Sequence, residues 1–172
     1  MYNSVAFGYT RGMPAFAEVP AQELLVLDRQ ICFSLNAASR AFGSVYRHVL
    51  KDLDLTYPQY LVMLVLWENG PLPVKELGTL LRLDSGTLSP LIKRLETAGY
   101  VRRERGTQDE RSVTVHPTET GAALRDKALP VPHRILAATG LTSSEIVELQ
   151  NLLDRATANL DGFNPLDDGA GE

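Results

Sequence analysis

The stretch LDSGTLSPLIKRLETAGYVRRERGTQDERSVTVHP, residues 83–117, decides the fold predicted for this chain of 172 residues. Asp84 or Ser85 is a suitable N-cap for a helix over residues 86–98, and Gly99 is a suitable C-terminal stop. One face of this helix is polar and the opposite face is apolar. The residues predicted to be buried are Leu88, Leu91, Ile92 and Leu95. The pattern therefore predicts a helix with one side against a core and the other in solvent.

A predicted hairpin follows this helix, and a short helix precedes it. Residues 100–105 and 112–116 have β-type sequences and flank a polar, glycine-containing loop, which favours a hairpin. A short helix is predicted over residues 74–81. Two helices joined by a tight turn and followed by a hairpin are the plan of a winged helix-turn-helix. The predicted fold class is mainly α with a small β-hairpin, a winged helix-turn-helix domain with a helical dimerisation region.

The helix over residues 86–98 has the side chains expected of one that enters the major groove of DNA. Ser85, Thr87 and Ser89 are small donors and acceptors at its N-terminal end, and Lys93 and Arg94 follow on the exposed side. We therefore predict these five residues as DNA contacts.

The charge distribution agrees with a DNA partner, although the chain carries a net charge of −4. Residues 82–105 contain six basic and three acidic residues, a local charge of +3. At the hairpin tip, the carboxylate of Asp109 can hold Arg111 extended for a narrow minor groove. Asp109 and Arg111 complete the predicted DNA-binding set.

Apolar residues repeat every seven positions near the N-terminus, at Leu24, Ile31, Ala38 and Val45, with Leu35, Phe42 and Val49 between them. This spacing predicts a long helix that ends near Asp52 and packs against a second copy of the chain. The predicted organisation is a flexible arm (1–20), a dimerisation helix with the only cysteine (21–57), a winged helix-turn-helix (58–117), C-terminal dimerisation helices (118–161) and a flexible tail (162–172).

The motifs Leu83–Glu96, Gly99–Val101, Asp109–Ser112 and Thr118–Gly121 occur here in the order found in the MarR family of transcription regulators, which the chain resembles over roughly residues 24–160. The resemblance implies a symmetric homodimer on a pseudo-palindromic, double-stranded operator, usually as a repressor.

Cys32-Phe33-Ser34-Leu35, Tyr46 and Leu55–Leu61 resemble the organic hydroperoxide resistance regulators, one branch of that family. This resemblance implies that an organic hydroperoxide oxidises Cys32, that the dimer rearranges and that DNA is released. It also implies that Tyr46 and Tyr57 are hydrogen-bond partners of Cys32. Asn36 stands where some members of the branch carry another tyrosine.

The distance between Cys32 and Tyr46 along the predicted helix limits how the two residues can form one sensing site. Cys32 and Tyr46 are fourteen residues apart, or about 21 Å along one helix. They cannot touch within one straight helix. If two first helices pack antiparallel, Tyr46 of one subunit reaches Cys32 of the other, so the sensor is assembled only in the dimer.

Cys32 is the only cysteine of the chain, so its sulfenic acid has no second type of protein thiol with which to form a disulfide. We expect a mixed disulfide with a small cellular thiol, or further oxidation.

Two other functions fit parts of the sequence. A MarR-type regulator could respond to a small aromatic ligand, with an incidental cysteine, or the chain could be a thiol-dependent peroxidase, an enzyme. His48, His116 and His133 are too scattered to predict a metal site, and no cofactor is predicted. No stretch approaches the ~20 apolar residues of a membrane span, and we expect a cytoplasmic protein that does not engage a membrane.

Overall fold

A computed structural model describes residues 20–105 and 112–163. The chain divides into two compact units, Met1–Ser44 and Val45–Glu172. The predicted arm except Pro20, the loop tip with Asp109 and Arg111, and the tail after Phe163 lie outside the described residues. The helices are α1 (Ala21–Leu24), α2 (Ile31–Val49), α3 (Tyr57–Asn69), α4 (Val74–Leu81), α5 (Ser85–Thr97), α6 (Glu119–Ala128), α7 (Val131–Thr139) and α8 (Ser143–Asp161). The strands are β1 (Leu72–Pro73), β2 (Val101–Arg105) and β3 (Val113–Pro117).

The first unit differs from the predicted single long helix. Leu24 belongs to the short α1, and a 3₁₀ turn over Leu27–Arg29 separates it from α2. Gln30 has extended backbone angles, and its carbonyl accepts from the N–H groups of Phe33 and Ser34, which starts α2 at Ile31. Cys32 therefore lies in the first turn of α2, and the expectation that Leu24 shares this helix was wrong.

The core of the second unit forms where α3, α4, α5 and the sheet meet. Its largest fully buried side chains are Leu50, Val62, Met63, Leu66, Leu77, Leu88, Ile92, Leu95, Val101 and Val115. The predicted buried side of α5 is confirmed, because Leu88, Leu91, Ile92 and Leu95 are all buried.

The predicted winged helix-turn-helix is present in the second unit. Arg82 adopts a left-handed conformation (φ 53°) at the end of α4, and Asp84 caps α5 by accepting from the backbone N–H of Thr87. Strands β2 and β3 form the predicted antiparallel hairpin, with Arg103 opposite Val115. Sequence analysis did not predict β1, which pairs with β3 and gives the strand order β1-β3-β2.

One close approach joins α6 to the start of the hairpin. A Cβ on Gly121 would overlap the carbonyl oxygen of Tyr100 and lie 2.8 Å from its carbonyl carbon. Thr118 strengthens the contact, because its N–H donates to the Tyr100 carbonyl (3.0 Å) and its hydroxyl to the Gly99 carbonyl (2.6 Å). From α3, the indole N–H of Trp67 donates to the Gly121 carbonyl (2.8 Å).

The C-terminal helices include one that sequence analysis missed. Pro132 lies in the first turn of α7, where its lack of an N–H removes no helical hydrogen bond, so the prolines begin a helix here. Helix α8 starts with a capping box, in which Thr142 and Glu145 are bonded to each other's backbone N–H. Helix α8 has no buried residue, and its exposed large apolar side chains are Val147, Leu149, Leu152, Leu153 and Leu160. Within the described ranges, no helix is long and apolar enough to cross a membrane.

The close approach at Gly121 predicts the effect of a single methyl group. We expect Gly121→Ala to lower the free energy of unfolding by about 1–3 kcal/mol, because the new Cβ must displace the Tyr100 backbone. Thr120→Ala, at an exposed position in the same helical turn, should change it by less than about 0.5 kcal/mol. Urea unfolding at one fixed protein concentration, followed by circular dichroism, measures both; equal stability of the two variants would contradict the prediction.

Candidate functional site

The polar face of α5 carries the predicted DNA-contacting side chains. Ser85, Thr87, Ser89, Lys93 and Arg94 are all exposed. This face of α5 is therefore open to solvent.

The N-terminal end of α5 is organised by Asp84. Its Oδ1 accepts from the Thr87 backbone N–H (2.8 Å) and its Oδ2 from the Thr87 hydroxyl (3.1 Å). The backbone hydrogen bond from Thr87 is the largest cause that lowers the pKa of the Asp84 carboxyl below its usual value. Thr87 therefore serves the cap as well as the exposed face, whereas no side-chain hydrogen bond restrains Ser85 or Ser89 among the described residues.

The structure separates the six basic residues of the window 82–105 into two groups. Three are in ion pairs: Arg82 with Asp161 (2.7 Å), Arg102 with Glu104 (2.6 Å) and Arg103 with Glu96 (2.6 Å). Lys93, Arg94 and Arg105 form no ion pair with another described residue. Fewer unpaired cations are thus found than the sequence count indicated, and Arg105, which the predicted set did not contain, is one of those without an ion pair in the described part of the chain. Its position at the end of a strand leading into the predicted wing was the available signal.

An open cavity of about 830 Å³ lies beside α5. Its walls come from α4, α5 and the sheet, and they include Lys75, Arg82, Ser85, Ser89, Ile92 and Val113. Because Ser85 and Ser89 line it, this cavity opens on the same surface as the predicted DNA contacts.

Cys32, the predicted sensing residue, has an exposed side chain in the first turn of α2. Tyr46 and Tyr57 lie in the second unit, and their ring centroids are 4.3 Å apart. The two predicted tyrosines are therefore brought together by the fold, although eleven positions separate them in sequence.

Tyr60 is a third member of this aromatic cluster that sequence analysis missed. Its ring centroid lies 6.1 Å from that of Tyr46 and 6.2 Å from that of Trp67, and its side chain is buried. Tyr57 and Tyr60 are three residues apart on α3, which is the spacing of neighbours on a helix surface and the signal that could have found it.

The cluster changes the acidity of its phenols. Burial, followed by the nearby Tyr57 and Tyr60 hydroxyls, raises the pKa of Tyr46 from 10.0 to about 12. Burial also raises the pKa of Tyr60. Within residues 45–105 and 112–163, the hydroxyls of Tyr46 and Tyr57 make no hydrogen bond. Tyr46 is thus a protonated phenol at neutral pH with a proton to donate.

The described residues contain no group of three or more His, Cys, Asp or Glu side chains that could hold a metal ion. Of the three histidines considered, His116 lies near a carboxylate, with Nε2 3.3 Å from Oε2 of Glu104.

Comparisons with known proteins identify similar chains. A family model described as "Transcriptional regulator SarA/Rot" matches residues 44–128. The organic hydroperoxide resistance transcriptional regulator of Bacillus subtilis is 44% identical over 127 residues, which cover 74% of this chain and 86% of that protein. The HTH-type transcriptional regulator TtmR of Methylorubrum extorquens is 53% identical over 119 residues, 69% of this chain; the match spans 61% of the length of TtmR.

Among solved structures, reduced AbfR bound to DNA superimposes with a TM-score of 0.69 at 35% identity, covering 81% of this chain and 97% of AbfR. AbfR is a protein of Staphylococcus epidermidis. Its overoxidised form, also bound to DNA, superimposes with the same TM-score of 0.69.

The pKa of Tyr46 gives a direct test of the aromatic cluster. We expect absorbance at 295 nm to show one tyrosine of the folded protein that ionises only near pH 12, and this step should be absent from Tyr46→Phe. Because the folded pKa is raised, the stability that it contributes is complete below pH 10.0 and is lost as the pH rises through about 12. In urea-unfolded protein every tyrosine should ionise near pH 10. The prediction is refuted if Tyr46→Phe removes a tyrosine that ionises near pH 10 and leaves the rest of the titration unchanged.

Proposed function

The chain belongs to the MarR family of transcription regulators, in the branch of the organic hydroperoxide resistance regulators, and we propose that it is a dimeric repressor that releases its operator when an organic hydroperoxide oxidises Cys32. The observation that carries the proposal is the 44% identity to a regulator of organic hydroperoxide resistance across 86% of that regulator's length. The exposed face of α5 and the paired Tyr46 and Tyr57 support it from the chain's own residues.

For DNA binding, we propose that α5 enters the major groove. Ser85, Thr87 and Ser89 approach base edges or phosphates, and Lys93 and Arg94 add positive charge beside them. Asp109 and Arg111 act from the tip of the wing, outside the described residues, with the carboxylate orienting the guanidinium towards a narrow minor groove. Lys93 and Arg94 have no ion pair with another residue in 20–105 or 112–163, which supports this role because cations already in ion pairs would neutralise fewer phosphates.

For assembly, we propose a homodimer on a pseudo-palindromic, double-stranded operator. In the second unit, α8 exposes a row of large apolar side chains and buries none. In the first unit, α2 exposes Ile31, Phe33, Leu35 and Phe42. Apolar surface of this extent is typical of surfaces that a protein partner covers. The two recognition helices of such a dimer would address half-sites about 34–36 Å apart.

For sensing, we propose that Cys32 of one subunit meets Tyr46 and Tyr57 of the partner subunit. Phenolic hydroxyls that donate to sulfur favour the thiolate, which is the nucleophile. The thiolate attacks the distal oxygen of the hydroperoxide, the O–O bond breaks, and the alkoxide leaves as an alcohol after it takes up a proton. The product is a sulfenic acid, Cys–SOH.

The absence of a second cysteine in this chain determines the next step that we propose. A small thiol, R–SH, attacks the sulfenic sulfur; an S–S bond forms and water leaves. In a reducing cytoplasm rich in such thiols, this mixed disulfide would be reversible, whereas further oxidation to the sulfinic or sulfonic acid would not.

The two alternatives are less well supported. The cavity beside α5 is the observation that favours release by a small aromatic ligand, but it opens on the surface proposed for DNA. The thiol-dependent peroxidase needs turnover, and the similar proteins described above are named as regulators. An enzyme would consume many equivalents of peroxide per chain with thiol present, whereas a sensor would consume about one per mixed disulfide formed.

Replacement of the thiol tests the sensing mechanism. Cys32→Ser should bind DNA as the wild type does, because the thiol is on α2 and not on α5, but cumene hydroperoxide should no longer release it. Fluorescence anisotropy of a duplex selected by the wild type from a random-sequence library measures both properties. Release of the serine variant by the peroxide would overturn the sensing proposal. Intact mass after peroxide and glutathione should show one adduct per chain in the wild type and none in the variant.

Replacement of a free cation tests the DNA interface. Arg94→Ala should cost about 1–3 kcal/mol of binding free energy on the selected duplex, if its guanidinium reads a base edge. Arg125→Ala removes the same charge from the exposed side of α6, and we expect little loss. Equal affinities of the two variants would show that α5 does not present Arg94 to DNA.

A further inference from the structure

The ion pair between Glu96 and Arg103 joins the last turn of α5 to the middle of β2. The Glu96 carboxylate accepts three hydrogen bonds from Arg103: one from the backbone N–H at 3.1 Å, one from Nε at 2.8 Å and one from Nη2 at 2.6 Å. Side-chain donation from two nitrogens of one guanidinium fixes its orientation more strictly than a single contact would. These bonds also lower the pKa of the Glu96 carboxyl, so it is ionised at neutral pH.

The hydrogen bond from the Arg103 backbone N–H to Glu96 provides an acceptor for a donor at the edge of the sheet. Strand β2 lies at one edge of the order β1-β3-β2, so its outward N–H groups have no neighbouring strand. Glu96 occupies the place of that strand at Arg103. An edge donor that would otherwise face solvent is thereby bonded to the recognition helix, α5.

The position of this contact matters because it lies beyond the turn that joins the two elements. The turn itself is held by the Tyr100 N–H, which donates to the Leu95 carbonyl (2.9 Å), and by Thr118, whereas the Glu96–Arg103 pair ties α5 to the middle of β2. The connection from α5 to β2 passes through Gly99, which has a positive φ of 76° and open space where a side chain would be. The other arginine pair on β2, Arg102 with Glu104, lies within the same strand and cannot fix the angle between strand and helix.

We propose that Glu96 and Arg103 are positioning residues that set the wing at the angle to the recognition helix needed for simultaneous contact with adjacent grooves, and that Arg103 does not itself bind DNA. The inference rests on the proposed DNA-binding function. It gives opposite roles to two arginines, because the Arg94 side chain is exposed on α5 whereas that of Arg103 is bonded to Glu96.

The variant Glu96→Gln distinguishes a positioning role of Glu96 from simple repulsion between its carboxylate and the DNA phosphates. Removal of a negative charge near DNA should strengthen binding if the carboxylate only repels phosphates. If Glu96 positions the wing, affinity for the duplex selected by the wild type should fall about 10-fold, within the range for loss of one groove contact. Hydroxyl-radical footprinting should show loss of protection where the wing lies, with protection by α5 retained.

Arg103→Lys provides the matched variant, because it keeps the charge and removes the two-nitrogen geometry. We expect a fall similar to that of Glu96→Gln, with the same loss of protection where the wing lies, because the charge at residue 103 is kept and only the geometry is lost. The double variant should bind no more weakly than either single one, because both remove the same interaction. Thermal unfolding verifies that each variant is folded.

Three results would overturn the inference while leaving the proposed function intact: tighter binding by Glu96→Gln, unchanged binding by Arg103→Lys, or additive losses in the double variant. If the wild type selects no duplex at all, the DNA-binding proposal fails and the inference fails with it.

Discussion

The contact between the Tyr100 backbone and Gly121 is the constraint on which the second unit depends. Because only a hydrogen atom fits between them, the first turn of α6 lies directly on the end of the turn that follows α5. Thr118 and Trp67 then hydrogen-bond to the same small region, from the strand end and from α3. Helix α5, the hairpin and α3 are consequently all anchored at this contact, so a displacement of any one of them changes the packing there.

Ion pairing explains how a chain with a net charge of −4 can present a surface for DNA. The net charge of the protein determines its long-range repulsion from DNA, whereas the affinity for DNA depends on which cations at the interface are not already paired within the protein. Arg82, Arg102 and Arg103 are paired with carboxylates of the protein, whereas Lys93, Arg94 and Arg105 have no ion pair among the residues that the structure describes.

The features that could be predicted from the sequence are those with a local cause. The cap at Asp84 and the apolar spacing of α5 were predicted correctly because each involves residues within one or two helical turns. Strand β1 was missed because two residues have no periodicity and depend on pairing with β3. The start of α2 was missed because Gln30 caps it with a backbone carbonyl, which leaves no side-chain signal. The ion pair of Arg82 with Asp161 joins residues 79 positions apart, beyond any local pattern.

The sensor proposal combines a local feature with one that only the fold provides. Sequence alone identifies a solitary thiol, but a thiol titrates near ~8.5 and is mostly protonated at neutral pH unless its surroundings favour the anion. The fold brings Tyr46 and Tyr57 together and keeps Tyr46 protonated, since its pKa is raised to about 12. A phenol that ionised near neutral pH would repel a thiolate, whereas one that retains its proton can donate to it. In the proposed sensor it is therefore the pairing of the Tyr46 and Tyr57 rings, which places two hydroxyl groups on one side of the fold, that would favour a sulfur anion, whereas apolar surroundings would favour a hydrophobic peroxide over hydrogen peroxide.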